Sequence, residues 1–240
     1  MDSTRKTALV AGVLYLITFA SSIPAFFLLE PVLSNPNYII GPGADTQVAL
    51  GALLDLVNAL AAIGTAVALF SVLKRQHEGF ALGFVTSRMF EAAVIVIGVV
   101  SILSVVTLRQ DGAAAGDAAS LVPIGQALVA VHDWAQILGP GMAGVNALLL
   151  GTLMYRSGLV PRWIPATGLI GGPLYLSSVV GIIVGVTEPG SAWQVIGGAP
   201  IFVWELALGL WMTFKGFRPS PLIPTNASAI PAQVEVPVAS

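Results

Sequence analysis

Long apolar runs recur along the chain, each ended by a short cluster of charged, Pro, Gly or Asn residues. A run of about 18 or more apolar residues is long enough to cross a bilayer as a helix. The runs predict six spans, at about 7–29, 47–73, 80–107, 123–154, 164–186 and 193–214. Between them lie a Pro/Gly/Asn-rich loop at 30–46, a polar turn at 74–79 and a softer Gly/Ala/Asp loop at 108–122. A basic turn at 155–163 and a tight turn at 187–192 complete the connections. The predicted fold is an all-α integral membrane protein, a six-helix transmembrane bundle over residues 1–216. Residues 217–240 are rich in Pro, Ala and Ser without apolar periodicity and predict a disordered tail.

The first run follows Arg5-Lys6, as a secretory signal would. It exceeds the usual apolar length of a signal, about 7–15 residues, and Ala20-Ser21-Ser22 makes a poor cleavage site, so it reads as a retained helix.

Composition agrees with the pattern. Hydrophobic residues are 56% and charged residues 9% of the chain, with a mean hydropathy of +0.89. A soluble domain carries about a quarter charged residues, so this chain has too few to cover a water-facing surface. The absence of cysteine removes disulfides, thiolate metal sites, covalent haem attachment and cysteine nucleophiles.

The net charge of −2 says less than where the charges fall. Arg5, Lys6, Lys74, Arg75, Arg156, Arg162, Lys215 and Arg218 all lie on one side of the predicted layout. Arg109 lies on the other, and Arg88 is inside a span. The positive-inside rule then predicts both termini, and the tail, in the cytoplasm, with the two longer loops outside. In a cytoplasmic tail the sequon Asn226-Ala227-Ser228 carries no meaning. No internal three-helix repeat is evident.

Glycines at 139, 141, 144 and 151 in the fourth span and at 168, 171, 172, 181 and 185 in the fifth predict close helix packing. Pro140 removes one backbone bond, frees the carbonyl of Gln136 and predicts a kink. Pro173 and Pro200 invite the same expectation in the last two spans.

The candidate chemistry is a set of polar residues inside the spans: Asp55, Asn58, Arg88, Glu91, His132, Asp133, Gln136, Asn146 and Glu205. Residues three or four apart share a helix face, so Asp55 pairs with Asn58 (with Thr65 extending the stripe), Arg88 with Glu91, and Gln136 with His132 and Asp133. At 1.5 Å per residue, Asp55 lies ~12 Å, and Asp133 and Glu205 ~15–18 Å, below their outer helix ends, while Glu91 rises ~18 Å from its inner end. In a hydrocarbon slab of about 30 Å these depths converge. A lipid-facing charge costs roughly 2.5–3.5 kcal/mol or more, so the set should face the bundle interior.

Asp55, Glu91, Asp133 and Glu205 outnumber Arg88 and His132. The imbalance calls for protonated carboxyls, water or a cation among them. The competing reading is an Arg88 pair with Glu91 or Asp133 that only fixes helix register. A metal at His132, Asp133 and Glu205 would lack the further His or Cys ligands such sites favour, and a bis-histidine haem would lack its second histidine. No metal or other cofactor is expected. No phosphate-binding glycine loop, nucleophile elbow or retinal-type lysine is present, no nucleic-acid partner is implied, and His77 reads as a solvated loop residue.

Several segments occur in a familiar order: Arg5-Lys6-Thr7-Ala8, Ala11-Gly12-Val13-Leu14-Tyr15-Leu16, Arg88-Met89-Phe90-Glu91 and His132-Asp133-Trp134. Gly139-Pro140-Gly141, Asn146-Ala147-Leu148-Leu149-Leu150-Gly151 leading into Tyr155-Arg156-Ser157, and Trp204-Glu205 follow. Over about residues 5 to 217 the chain resembles a bacterial membrane family called domain of unknown function 4386. The resemblance implies a multi-pass inner-membrane protein, mostly of six spans. It implies no activity and carries over no catalytic residue.

Three functional readings follow. The first is binding or proton-linked transport of a small solute, proton or lipophilic molecule. The second is a membrane enzyme on a lipidic substrate, with Glu91, Asp133 or Glu205 as acid or base and His132 assisting. The third is a sensor or assembly protein whose polar core is structural. The lipid bilayer is an expected partner, and a small solute, proton or lipid is the candidate ligand.

Overall fold

A computed structural model describes residues 3–41, 43–115 and 118–220. It has six helices long and apolar enough to cross a membrane. They are α1 (Ser3–Ser34), α2 (Asp45–Leu73), α3 (Glu78–Ala115), α4 (Val122–Ser157), α5 (Trp163–Ile183) and α6 (Ala192–Phe214), with one 3-10 turn at Ala118–Leu121. No strand occurs among the described residues. The chain is a multi-pass membrane protein.

Each helix packs on its neighbours in sequence, and α6 closes back on α1, so the bundle is a ring. Close approaches at glycine give its sense. Gly51 and Gly64 of α2 lie on Leu29 and Leu14 of α1, and Gly12 of α1 lies on Thr213 and Gly209 of α6. Neighbours therefore run antiparallel. An even number of antiparallel helices brings the termini to one end, called proximal here. Arg5 confirms the meeting by donating to the carbonyls of Met212 (2.9 Å) and Thr213 (2.7 Å), which the last turn of α6 leaves open.

Several predicted boundaries shift. Helix α1 runs through Pro24 and Pro31 to Ser34, and α3 continues to Ala115, absorbing the first part of the loop expected at 108–122. Polar residues end a membrane span without ending a helix. At the distal end Arg109 reaches Asp45 (2.5 Å) and the Gly41 carbonyl (3.0 Å), and Gln110 donates to Asp45 (3.2 Å). Tyr38 also donates to Asp45, at 2.9 Å. These bonds fasten the α1–α2 loop to the end of α3.

Helix α5 stops at Ile183, short of the predicted 186. Gly185 turns left-handed (φ 75°), letting Val186 N–H reach the Gly181 carbonyl at 2.9 Å and Gly185 N–H the Ile182 carbonyl at 3.1 Å. Helix α4 runs unbroken through Pro140 and ends at a left-handed Gly158 (φ 66°).

The start of the predicted tail is ordered. Phe217 packs on the core, Arg218 N–H reaches the Leu159 carbonyl (2.8 Å), and its guanidinium lies 5.2 Å from the Trp211 ring centre. Residues 221–240, with the sequon at Asn226, lie outside the described residues.

The ring is filled unevenly. Its proximal half is solid: Tyr15, Leu69, Phe84, Leu150, Trp204 and Met212 belong to one buried cluster with contributions from all six helices. Its distal half holds a second buried cluster, with Val32 of α1, Val48 of α2 and Ile102 of α3, and beside that cluster a hollow.

Candidate functional site

The hollow is a cavity of about 700 Å³ lined by residues from every helix. At its distal mouth stand Leu33 of α1, Gln194 of α6 and Pro189 and Gly190 of the connecting turn. At its floor stand Arg88, Glu91 and Glu205. Its wall between α1 and α6 includes Thr18, Phe19, Ser22, Phe26, Gly198 and Phe202. These two helices touch closely at Gly12 and Gly209 in the proximal half. Farther out, Phe19 and Phe202 meet edge to face at 5.1 Å.

The polar residues form two tiers. In the floor tier, Arg88 Nη1 lies 3.0 Å from Glu91 Oε2 and Nη2 lies 2.5 Å from Glu205 Oε1. Arg88 Nη2 also donates to the Tyr15 hydroxyl at 3.1 Å, and Asn146 donates to Glu91 Oε2 at 2.7 Å. Arg88 is further flanked by the rings of Tyr15 and Phe84. Helix length explains the convergence: Arg88, Glu91, Tyr15, Asn146 and Glu205 each lie ~14–20 Å from the proximal end of their helix. Arg88 belongs to α3 and Glu205 to α6, three helices apart in the ring, so their ion pair spans the lumen where solid core gives way to cavity.

The arrangement has a chemical cost. Arg88 is 3% exposed, its Nε has no partner, and the buried Asn146 Oδ1 has none either. Two carboxylates share one guanidinium, so removing the guanidinium would strand both in a low-dielectric site.

The upper tier is built differently. Asp55 accepts from Gln136 Nε2 at 3.0 Å. His132 is 2% exposed, and its Nδ1 lies 3.3 Å from the Gly98 carbonyl of α3. Gly98 permits this, since a Cβ there would sit 3.2 Å from that nitrogen. A carbonyl only accepts, so Nδ1 carries the proton and Nε2 of the neutral ring is an acceptor. Asn58 and Asp133 complete the tier. Asp133 and Leu33 also line a second cavity of about 260 Å³ under Tyr38 and Ile39, so Asp133 stands where the two spaces meet.

Eight of the nine residues singled out in the sequence line the large cavity; Asn146 stands behind Glu91 instead. Arg88 pairs with Glu91, as one expectation had it, but its second partner is Glu205 and not Asp133. Thr65 leaves the stripe expected of it: it is fully buried in the solid half and donates to the Ala62 carbonyl. No group of His, Asp or Glu suited to a metal ion forms among the described residues. Sequence reasoning missed Tyr15, and also Tyr175 of α5, which lines the large cavity. Tyr15 was within reach, because its distance from the start of α1, ~18 Å, matches the depth of Glu91.

A family model described as domain of unknown function (DUF4386) matches residues 10–216. The chain belongs to this family. The DUF4386 match takes in both polar tiers and all six helices. An "Uncharacterized protein" of Archaeoglobus fulgidus is 29% identical over 104 residues, which is 41% of this chain and 60% of that protein. No solved structure matches.

Proposed function

We propose that the protein binds a small solute or lipophilic molecule in the hollow half of the ring, and that its transport across the membrane is linked to protonation at the floor carboxyls. The observation that carries this reading is a cavity of about 700 Å³ that begins among the distal loops and ends on an ion pair spanning the lumen. The volume lies in the range of sites for drug-sized ligands, ~300–1,000 Å³. The solid proximal half would serve as the closed gate, and exchange of Glu205 between Arg88 and a proton would loosen α6 from α3.

The basic residues supply the orientation of this proposal: proximal end and both termini in the cytoplasm, in a bacterial inner membrane, with the cavity facing outward. The floor tier alone, with its carboxylates paired, also suits a structural role. What that role leaves without purpose is the hollow above it.

The native chain has no cysteine, which makes access measurable. Ser22→Cys and Gly198→Cys, in the cavity wall, are expected to react with a membrane-impermeant maleimide added from outside. Ala66→Cys and Ala147→Cys, both fully buried in the solid half, are expected to stay unlabelled. Equal protection of all four positions would end the proposal. Glu205→Gln is expected to fold, keep labelling at Ser22→Cys and lose any pH dependence of binding or flux; a wild-type pH profile would remove Glu205 as the titrating group.

A further inference from the structure

The upper tier is short of hydrogen-bond donors. Asp55 Oδ2 takes the Gln136 amide N–H, and no donor among the described residues meets Oδ1. That bond uses one of the two N–H groups of the Gln136 amide and leaves the other N–H and the carbonyl oxygen open. The Asp133 carboxylate has no hydrogen-bond or ion-pair partner among the described residues and faces both cavities. His132 adds its Nε2 lone pair, held away from α3 by the Nδ1 bond to Gly98. That residue is 2% exposed and still lines the cavity, its second nitrogen without a hydrogen-bond partner among the described residues. Asn58 and Gln136, which can donate as well as accept, are the exceptions.

The tier is also short of positive charge. Among the described residues the one permanent cation lining the cavity, Arg88, already bridges Glu91 and Glu205. Among the described residues no Lys or Arg faces Asp55 or Asp133, and the ionisable base beside Asp133 is His132, neutral with its proton on Nδ1.

The space above is too large for a bare ion and has apolar walls, among them Phe26, Leu29, Ile95, Ile137 and Phe202. A group that satisfies several acceptors must carry several N–H bonds, and two unpaired carboxylates call for positive charge. The apolar walls call for a hydrocarbon body, and an aromatic face near the cation adds attraction.

From these we infer that the cavity binds a protonated lipophilic amine, its ammonium group donating its three N–H bonds to Asp55, Asp133 and His132 while its apolar body lies against the α1–α6 wall. The inference rests on the binding reading above and names the ligand class for that site.

The test uses the full chain in lipid nanodiscs and calorimetry with three probes of one shape: 2-(1-naphthyl)ethylammonium, its N,N,N-trimethyl analogue and 2-(1-naphthyl)ethanol. The primary amine is expected to bind saturably and to slow maleimide labelling of Ser22→Cys. The quaternary analogue, which has charge but no N–H, is expected to bind at least tenfold more weakly, and the alcohol weaker still. Asp55→Asn is expected to lower amine affinity at least tenfold and to pull the amine-to-quaternary ratio toward one. An unchanged unfolding midpoint would show that this variant folds, and Asp133→Asn gives a second reading if it does not.

Equal affinity for all three probes, or saturable binding of zinc alone with none of the amine, overturns the inference. So does a lack of amine binding while Ser22→Cys still labels, an outcome that leaves the outward cavity standing. Loss of that labelling in the parent variant would instead defeat the binding reading itself.

Discussion

Arg88 holds two carboxylates with one guanidinium, and its neighbours divide unequally between them. Glu91 has Arg88 and Asn146, whereas the partly exposed Glu205 has Arg88 alone. Arg88→Gln strands both acids and is expected to destabilise the protein by about 3–5 kcal/mol. Glu205→Gln keeps a neutral hydrogen-bonding group beside Arg88 and is expected to cost less than half of that. Chemical unfolding in detergent, followed by intrinsic fluorescence, checks the order of the two variants. The Arg88–Glu91 pair was legible in the chain because residues three apart on a helix share a face. Tyr15 and Glu205 lie 73 and 117 positions from Arg88, so their meeting depended on the closure of the ring. The tautomer of His132 was not legible at all, since it follows from one carbonyl on another helix.

At the scale of the element, the helices are spaced by glycines that do two different jobs. Gly172 and Gly144 face one another across α4 and α5, and a Cβ on Gly172 would sit 2.9 Å from the Gly144 carbonyl oxygen. Backbone cannot move aside like a side-chain tip, so Gly172→Ala is expected to cost about 1–3 kcal/mol through overpacking. Gly158 has open space around it but a φ of 66°, so Gly158→Ala is expected to cost about 1–2 kcal/mol from backbone conformation alone. Thermal unfolding separates the two causes when each alanine is followed by leucine. The larger side chain should worsen position 172 sharply and leave 158 almost unchanged. Boundaries were the least legible feature. Hydropathy ends where the membrane ends, while α1 and α3 continue into polar sequence. Asp45 ties down that extension through Tyr38, Arg109 and Gln110, so Asp45→Ala is expected to expose the 35–44 segment to protease. Limited proteolysis, with the bundle itself intact, is the measurement.

For the whole molecule, the number of spans and the depth of the polar residues were readable because a bilayer dictates helix length and penalises exposed charge. The uneven filling of the ring was not, because it comes from which side chains share a layer. Alanines, leucines and large aromatics close the proximal half, whereas the distal half packs around Val32, Val48 and Ile102 and leaves beside them a hollow lined by apolar, aromatic and polar side chains.

That asymmetry bears on voltage. Solvent in the distal cavity would carry the potential of the distal side down to Arg88, leaving the membrane field to fall across the proximal layer of roughly 14–20 Å. A charge displaced between Glu205 and the proximal face would then sense nearly the full potential, about 2.3 kcal/mol per elementary charge per 100 mV, over about half the distance a uniformly filled bundle requires.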